Sequence, residues 1–599
     1  NVATTVDSGA VLELDGFSNS IGSLAGAGTV ENANATVATL TTGEDNTSTT
    51  FSGVLQDGTG GGALSLTKDG SGTMTLGSTS ANTYSGGTTI NDGILSLGAS
   101  SSVDSHEDAL GTGSVTVNSG GELRLWISGS GTYDIDNAIT LDGGVIHNES
   151  GFHTLSGNMT LAAGGGTLTG KWNNKPLTVS GDISGAGALT IDESANNGGV
   201  VVLSGNNTYT GVTTISAGTL EIGSTGQLGS GSYAGAIANS GTVEYNSTAN
   251  QTLSGVISGS GDLVKDNTGT LTLGSTSANT YSGGTTINNG ILSLGASSSV
   301  DSHEDALGTG SVTVNSGGEL RLWISGSGTY DIDNAITLDG GVIHNESGFH
   351  TLSGNMTLAA GGGTLTGKWN NKPLTVSGDI SGAGALTIDE KAGGSGGVVV
   401  LSGNNTYTGA NDVQAGTLIA GSTTAFGNNV ATTVDSGAVL DLDGFSNSIG
   451  SLAGAGTVEN ANATAATLTT GADNTSTTFS GVLQDGTGGG ALSLTKAGSG
   501  TQTLTGVNTY TGGTTVDSGT LKLTGSGRIG NGGLTVNDGG TLSVATNTFN
   551  SLGGAITVNE GGTLSTDSTG NNANNIGAIS INGGTLTSSG NAYAEGNWI

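Results

Sequence analysis

The sequence has no cysteine, only 2 prolines among its 599 residues, and aromatics at 4%. Without cysteine there is neither a disulfide framework nor a thiolate metal site. So few aromatic side chains cannot fill a wide interdigitated core. Charge is scarce as well, 10% of the chain, and one-sided: 47 acidic residues against 12 basic give a net charge of −35. Such a field disfavours nonspecific binding to nucleic acid or anionic lipid, so neither is an expected partner. No apolar run is long enough to span a membrane as a helix, and no signal peptide is recognised at Asn1. Helix is disfavoured throughout, because Gly, Thr, Asn and β-branched residues form it poorly and no apolar stripe of period 3.6 appears.

Glycine is what the chain has in quantity, 115 residues, with Thr, Ser and Asn around it. Hydrophobic residues still reach 33% and recur in short Val, Ile and Leu pairs. That pairing separates the chain from Gly-rich disorder and points to many short strands.

Self-similarity occurs at three scales. Residues 1–73 recur at 429–501, so that Val2 matches Val430 and Lys68 matches Lys496. Residues 77–193 recur at 274–390 with near identity: Tyr84 matches Tyr281, Trp126 matches Trp323, Glu193 matches Glu390. Gly427 and Asn428 continue the pattern ahead of Asn429, so the chain is expected to be a window on a longer array. The smallest unit is cleanest near the end, where Gly540, Gly562 and Gly584 lie 22 apart and Leu542, Leu564 and Leu586 follow each by two. Each unit reads apolar, Thr or Ser, apolar, Asn, then Gly-Gly-Thr-Leu.

Period-2 alternation makes each apolar-Thr-apolar triplet a short strand with Thr outward, and Asn with Gly-Gly makes the corner. One such unit cannot bury its inner face, but stacked coils bury it continuously. The expected fold is all-β: a single-stranded right-handed parallel β-helix, one continuous β-solenoid over 1–599, at about 22 residues per coil and about 27 coils. At ~4.8 Å per coil it would be a rod roughly 130 Å long. Asn537, Asn559 and Asn582 follow the second apolar residue of their units and are expected to form a hydrogen-bonded ladder.

Five stretches share a longer signature anchored on Asn-Thr-Tyr-Thr/Ser-Gly: Leu76 to Gly98, Val202 to Gly223, Leu273 to Gly295, Val400 to Gly421 and Leu504 to Gly525. They resemble the autotransporter-associated β-strand repeat, also called the passenger-associated transport repeat, of large Gram-negative autotransporters. The resemblance implies a right-handed β-helical passenger carried across the outer membrane to the cell surface, with the repeat assisting transport. The fourth stretch departs from the pattern at Gly409, Ala410, Asn411, Asp412 and Val413, where a kink or irregular loop is expected. Nothing here resembles the anchoring barrel, with its ~10-residue alternating strands and aromatic girdles.

A search for chemistry returns little. With glycine this frequent, Gly-x-Gly-x-x-Gly and Gly-x-Ser-x-Gly carry no weight without a β-α-β context. Polysaccharide-cleaving β-helices cluster acids with Arg or Lys on one face, but only three arginines occur (Arg124, Arg321, Arg528) and the carboxylates read as scattered. The calcium-binding nonapeptide does not recur. Glu44 becomes Ala472 and Asp69 becomes Ala497 between copies, which marks both as solvated charge. Outward Thr pairs such as Thr270 and Thr272 invite comparison with ice-binding solenoids, yet Thr is simply favoured in strands. No catalytic residue, metal or cofactor is expected, and the chain is read as a non-enzyme.

One cluster exceeds this background. Arg124, Trp126, His147, His153, Lys171, Trp172 and Lys175 gather in the 197-residue unit, and all six histidines of the chain lie in this unit or its copy. Aligned on their Gly-Gly corners, three coils place Leu123, Ile146 and Leu168 inward. Arg124, His147 and Thr169 then form one outward column, and Trp126, Glu149 and Lys171 the next. The plainest reading is a Trp covering a coil edge; the functional one is a cationic and aromatic contact face, repeated at Arg321, Trp323, His344, Lys368 and Trp369. Such a face suits an acidic second copy of the chain, or surface glycans of a host or neighbouring cell. The expected function is an extracellular stalk or adhesin passenger, with a self-associating fibre or sheath subunit, or a polysaccharide-acting enzyme, as alternatives.

Overall fold

A computed structural model describes residues 1–77, 81–98, 108–126, 132–193, 197–274, 277–295, 305–323, 329–546, 552–566 and 578–588. Parts of two signature stretches (78–80 and 275–276), together with His106 and His303, lie outside the described residues. The fold is all-β, 53% strand, with parallel sheets stacked as a β-solenoid of about 24 turns. Among the described residues a 3-10 turn at Gly229–Gly231 is the one helical element.

Two compact units divide the chain: Asn1–Leu292 with Asp305–Gly310, and Ser293–Glu304 with Ser311–Ile599. In the first, one sheet runs from Ala3–Val6 to Ile257–Ser258, a second from Asn19–Ser20 to Ile183–Gly185, and a third begins at Thr132–Ile135. In the second, ladders run through Gly318–Trp323 to Thr585–Ser588, Thr329–Ile332 to Val482–Gln484, and Asn447–Ile449 to Ile579–Asn582. Sequential strands thus fall on different faces, and each pairs in parallel with a strand about one coil away.

The count of about 24 turns is below the 27 obtained from a uniform 22-residue unit. Thr541 does pair with Thr563, 22 residues on, but Gly93 pairs with Gly121, 28 on, because some corners carry longer loops.

Alternation sets the core as the pattern implies. In Leu64–Lys68 the first, third and fifth residues are buried and the two between them are not. Leu521, Leu542 and Leu564 stack in register and are buried. Glycine is required where corners of successive coils touch. Gly185 sits at φ +109°, and a Cβ there would meet the Leu161 carbonyl oxygen at 2.1 Å.

The asparagine ladder is present. Asn559 Nδ2 donates to Asn537 Oδ1 at 2.9 Å, Asn582 to Asn559 at 3.5 Å, and Asn537 to Asp517 at 2.7 Å. The expected kink at 409–413 is not. Asn411–Val413 is a regular strand paired on both sides, with Leu386 to Ile388 and Thr432 to Val434, because Asn411 takes up the inward polar position that Thr occupies in the other repeats.

Candidate functional site

The aromatic face of the first unit is built on three stacked strands, Gly121–Trp126, Gly144–Ser150 and Gly166–Gly170. Their register is the one the Gly-Gly corners imply: Leu123 opposite Ile146 opposite Leu168, and Arg124 opposite His147 opposite Thr169. The three apolar residues are fully buried.

The outward columns differ from expectation in two ways. A register shift after Leu125 pairs Trp126 with Ser150, so Glu149 bulges out of the Trp126 column. It then pairs with Lys171 of the following coil and, at 3.0 Å, with His147 Nε2. His147 is also not displayed: it is 9% exposed, shares a 2.7 Å hydrogen bond with Thr169 through Nδ1, and lies beneath this network. His344, its counterpart in the second unit, is fully buried, bonded to Thr366 at 2.5 Å and Glu346 at 2.9 Å.

His153 does not join the face. It is buried and bonds Asn148 Oδ1 at 3.1 Å; Asn148 in turn donates to the Lys175 carbonyl at 3.1 Å. Lys175 is the residue whose N–H closes the turn onto the Trp172 carbonyl, at 3.4 Å, so the inward His153 and Asn148 contact the same turn that carries the outward indole. His350, Asn345 and Lys372 repeat the arrangement at 3.0 Å each.

The cations are paired rather than free. Arg124 Nε meets Glu122 at 2.7 Å and Arg321 meets Glu319 at 2.8 Å, while Lys171 pairs with Glu149 and Lys368 with Glu346. Burial works to raise the Glu149 and Glu346 carboxyls, but hydrogen bonds and charge from the neighbouring lysine and histidine outweigh it and hold both below the usual value. What remains exposed is indole: Trp126 at 54% and Trp172 at 39%, with Trp323 at 53% and Trp369 at 37% in the second unit. Lys171 Nζ lies 5.9 Å from the Trp172 ring and Lys368 5.6 Å from the Trp369 ring. The Trp369 indole N–H donates to the Glu346 carbonyl at 3.2 Å, which leans its ring back across the middle coil.

Three polar devices lie outside the residues singled out from sequence. First, the asparagine two places before each signature tyrosine is a clamp. Asn82 accepts from the Leu55 N–H of one coil at 2.8 Å and donates to the Ala109 carbonyl of another at 2.7 Å. Asn207, Asn279, Asn405 and Asn508 do the same, from Ile183 to Gln227, Ile257 to Ala306, Ile380 to Ala425 and Leu483 to Arg528. All five are buried, as are the tyrosines after them. Its sequence signal was the constant Asn-Thr-Tyr itself, which apolar periodicity does not weigh.

Second, Lys68, Lys265 and Lys496 are buried, each giving its ammonium to three backbone carbonyls; those of Asp266, Asn267 and Asn289 receive Lys265. Burial pushes the Lys265 amine down to about 8. The parity of Leu64, Leu66 and Lys68 already marks that lysine as inward. Third, the carboxylates are not all scattered: Glu221 and Glu244 stand in register on adjacent strands. Burial, then Glu221 and Asp266, pushes Glu244 up to about 7. No group of three or more His, Cys, Asp or Glu able to hold a metal occurs among the described residues.

Comparison with known proteins agrees with the five signature stretches. The passenger-associated-transport-repeat family matches at residues 66–97, 184–222, 263–294, 390–420 and 494–523, each containing one clamp asparagine and one buried tyrosine. Adhesin BmaC autotransporter of Brucella suis biovar 1 (strain 1330) is 29% identical over 580 residues, covering 76% of this chain and 16% of that protein. The chain thus spans under a fifth of the length of that curated relative. Among solved structures, a TibC-catalysed hyper-glycosylated fragment of TibA is 16% identical, covering 87% of this chain and 96% of that one, at a TM-score of 0.10, too low to bear on the fold. The chain carries five passenger-associated transport repeats.

Proposed function

We propose that this passenger is a non-enzymatic surface adhesin, exported to the bacterial cell surface, and that its contact sites are the two faces centred on Trp126 with Trp172 and on Trp323 with Trp369. The observation carrying the reading is the exposure of these indoles in a chain with so few aromatics, twice over, at the ends of stacked strands in each unit or, for Trp172, in the turn just past one. Large amphipathic aromatics supply contact area at low entropic cost, and the same residues in two units give avidity. Support for the adhesive class comes from the relative named as an adhesin. Passenger repeats support export. The chemistry of the face supports binding over turnover, since its carboxylates, Glu122 and Glu149, are each engaged by a cation.

The test is adhesion of chain-coated beads to cultured host cells and to bacterial lawns, comparing the native protein with a variant in which all four tryptophans are Ala. The reading expects a large loss of adhesion in a protein whose circular dichroism and melting are unchanged. Undiminished adhesion would return the indoles to a covering role.

A further inference from the structure

We infer that each aromatic face is a stacking platform for a neutral, hydroxyl-rich oligosaccharide, rather than a dock for a second copy of this acidic chain; this rests on the contact-face reading above. A second copy would need the face to offer uncompensated positive charge. Arg124 is taken by Glu122, and Lys171 by Glu149. The remaining cation, Lys175, hydrogen-bonds Ser150 at 3.5 Å. Three cations against two carboxylates leave the face near neutral, while the chain as a whole carries −35 and repels both its own copies and polyanionic polymers.

Paired charges of this kind suit sugars. A carboxylate and a cation held against each other still present acceptor and donor positions at fixed geometry, and a neutral polyol engages both without bringing a charge that must be desolvated. The indoles supply the apolar half of the match, because the CH-rich face of a pyranose lies flat on an aromatic ring. Trp126 ends the strand Gly121–Trp126 and Trp172 lies two residues past Gly166–Gly170, two coil steps on, so their backbones are separated by roughly 10 Å. The intervening coil contributes Glu149 and Ser150 between them. At about one sugar per coil step, this spacing fits every second ring of an extended glycan running along the stacking direction, with the ring between them over Glu149 and Ser150; Trp323 and Trp369 are placed in the same way in the second unit.

Calorimetric titration of the whole chain with neutral hexasaccharides of β-linked glucose, galactose and N-acetylglucosamine, beside a sulfated heparin hexasaccharide, decides the matter. At least one neutral sugar is expected to bind at two sites per chain, with heparin weaker than any neutral binder. Joint Trp126→Ala and Trp172→Ala should leave one site, and the four-tryptophan variant should lose affinity by roughly tenfold or more. Trp→Tyr at the same positions should retain most of the binding, which separates loss of an aromatic surface from loss of fold. No binding by any of the neutral sugars, preference for heparin, or binding that survives removal of all four indoles overturns the inference. If bead adhesion falls in the four-tryptophan variant while none of these sugars binds, the contact faces stand and the sugar class fails. If adhesion is also unchanged, both fail.

Discussion

The hydroxyl of Tyr407 donates to Asn411 Oδ1 at 2.7 Å, at the place where Tyr84, Tyr209, Tyr281 and Tyr510 share hydrogen bonds of 2.6–2.8 Å with a threonine four residues on. Asn411 is 1% exposed and reaches further than threonine can, since its Nδ2 also donates to the Phe426 carbonyl at 3.0 Å. The irregular fourth repeat is therefore a repeat with one polar partner exchanged for a longer one.

Asn411→Ala strands a buried hydroxyl and a buried carbonyl together, so a cost of about 2–4 kcal/mol is expected. Asn411→Thr restores the tyrosine's partner but not the carbonyl's, and about half of that loss should return. Hydrogen exchange of Asn411–Val413 and Ala431–Val434 is the suitable readout, because in a stacked-coil array global unfolding is not two-state and local opening reports the site. Equal protection in Asn411→Ala and the native chain would show that the tyrosine bond contributes nothing.

The clamp asparagines should matter more widely than their size indicates. Asn508→Ala leaves the Leu483 N–H and the Arg528 carbonyl without their partner, on coils before and after its own. Loss of about 2–4 kcal/mol is expected. Exchange should accelerate in all three coils while the first unit keeps native protection, the signature of nearest-neighbour coupling. Acceleration confined to the coil of Asn508 itself would mean that the clamp does not couple its neighbours.

The coil architecture was legible in the sequence because it rests on short-range pattern: alternation at Leu64, Leu66 and Lys68, and glycine pairs at fixed spacing, are properties of the chain read in order. Register across coils was legible for the same reason, and Leu123, Ile146 and Leu168 align as their corners imply. What escaped depends on which side chain wins a shared space. Alternation points His147 outward, but Glu149 of the bulged segment bonds back to its Nε2 and Thr169, its in-register neighbour on the next coil, to its Nδ1. Asn82 and its equivalents were invisible as clamps because their partners are backbone groups on the coils to either side, 27 residues away in both directions for Asn82 and 20 and 25 for Asn508, which no residue type announces.

The ion-paired network under the indoles should show in the pH dependence of stability. Glu149 titrates below its ordinary value of 4.5 when folded, so the folded state holds its proton less tightly than the unfolded one. Its contribution is complete above about 4.5 and disappears as the pH falls through the lower folded value. The difference in melting temperature between the native chain and Glu149→Gln should therefore be present at pH 7 and shrink as the pH is lowered below about 4.5. Trp172 fluorescence, reporting beside Lys171, is expected to follow the same titration. A difference that persists undiminished at pH 3 would assign the loss to packing rather than to charge.

The stacked pair of glutamates predicts the opposite sign. Glu244 stands in register with Glu221, and its burial, with the charges of Glu221 and Asp266, raises it from 4.5 to about 7. Between those values the folded state binds the proton that the unfolded state has released, so this group's contribution to stability falls as the pH rises from about 4.5 to about 7. Above 7 the carboxylate is ionised in both states and the full penalty of holding it half-buried against like charge is present. Glu244→Gln removes that penalty while keeping shape and hydrogen-bonding capacity. The variant should melt higher than the native chain at pH 8, and the gap should close by pH 5, measured as paired melting curves across that range. A gap that stays constant with pH would mean that Glu244 titrates as an ordinary solvated acid and that neither its burial nor Glu221 acts on it.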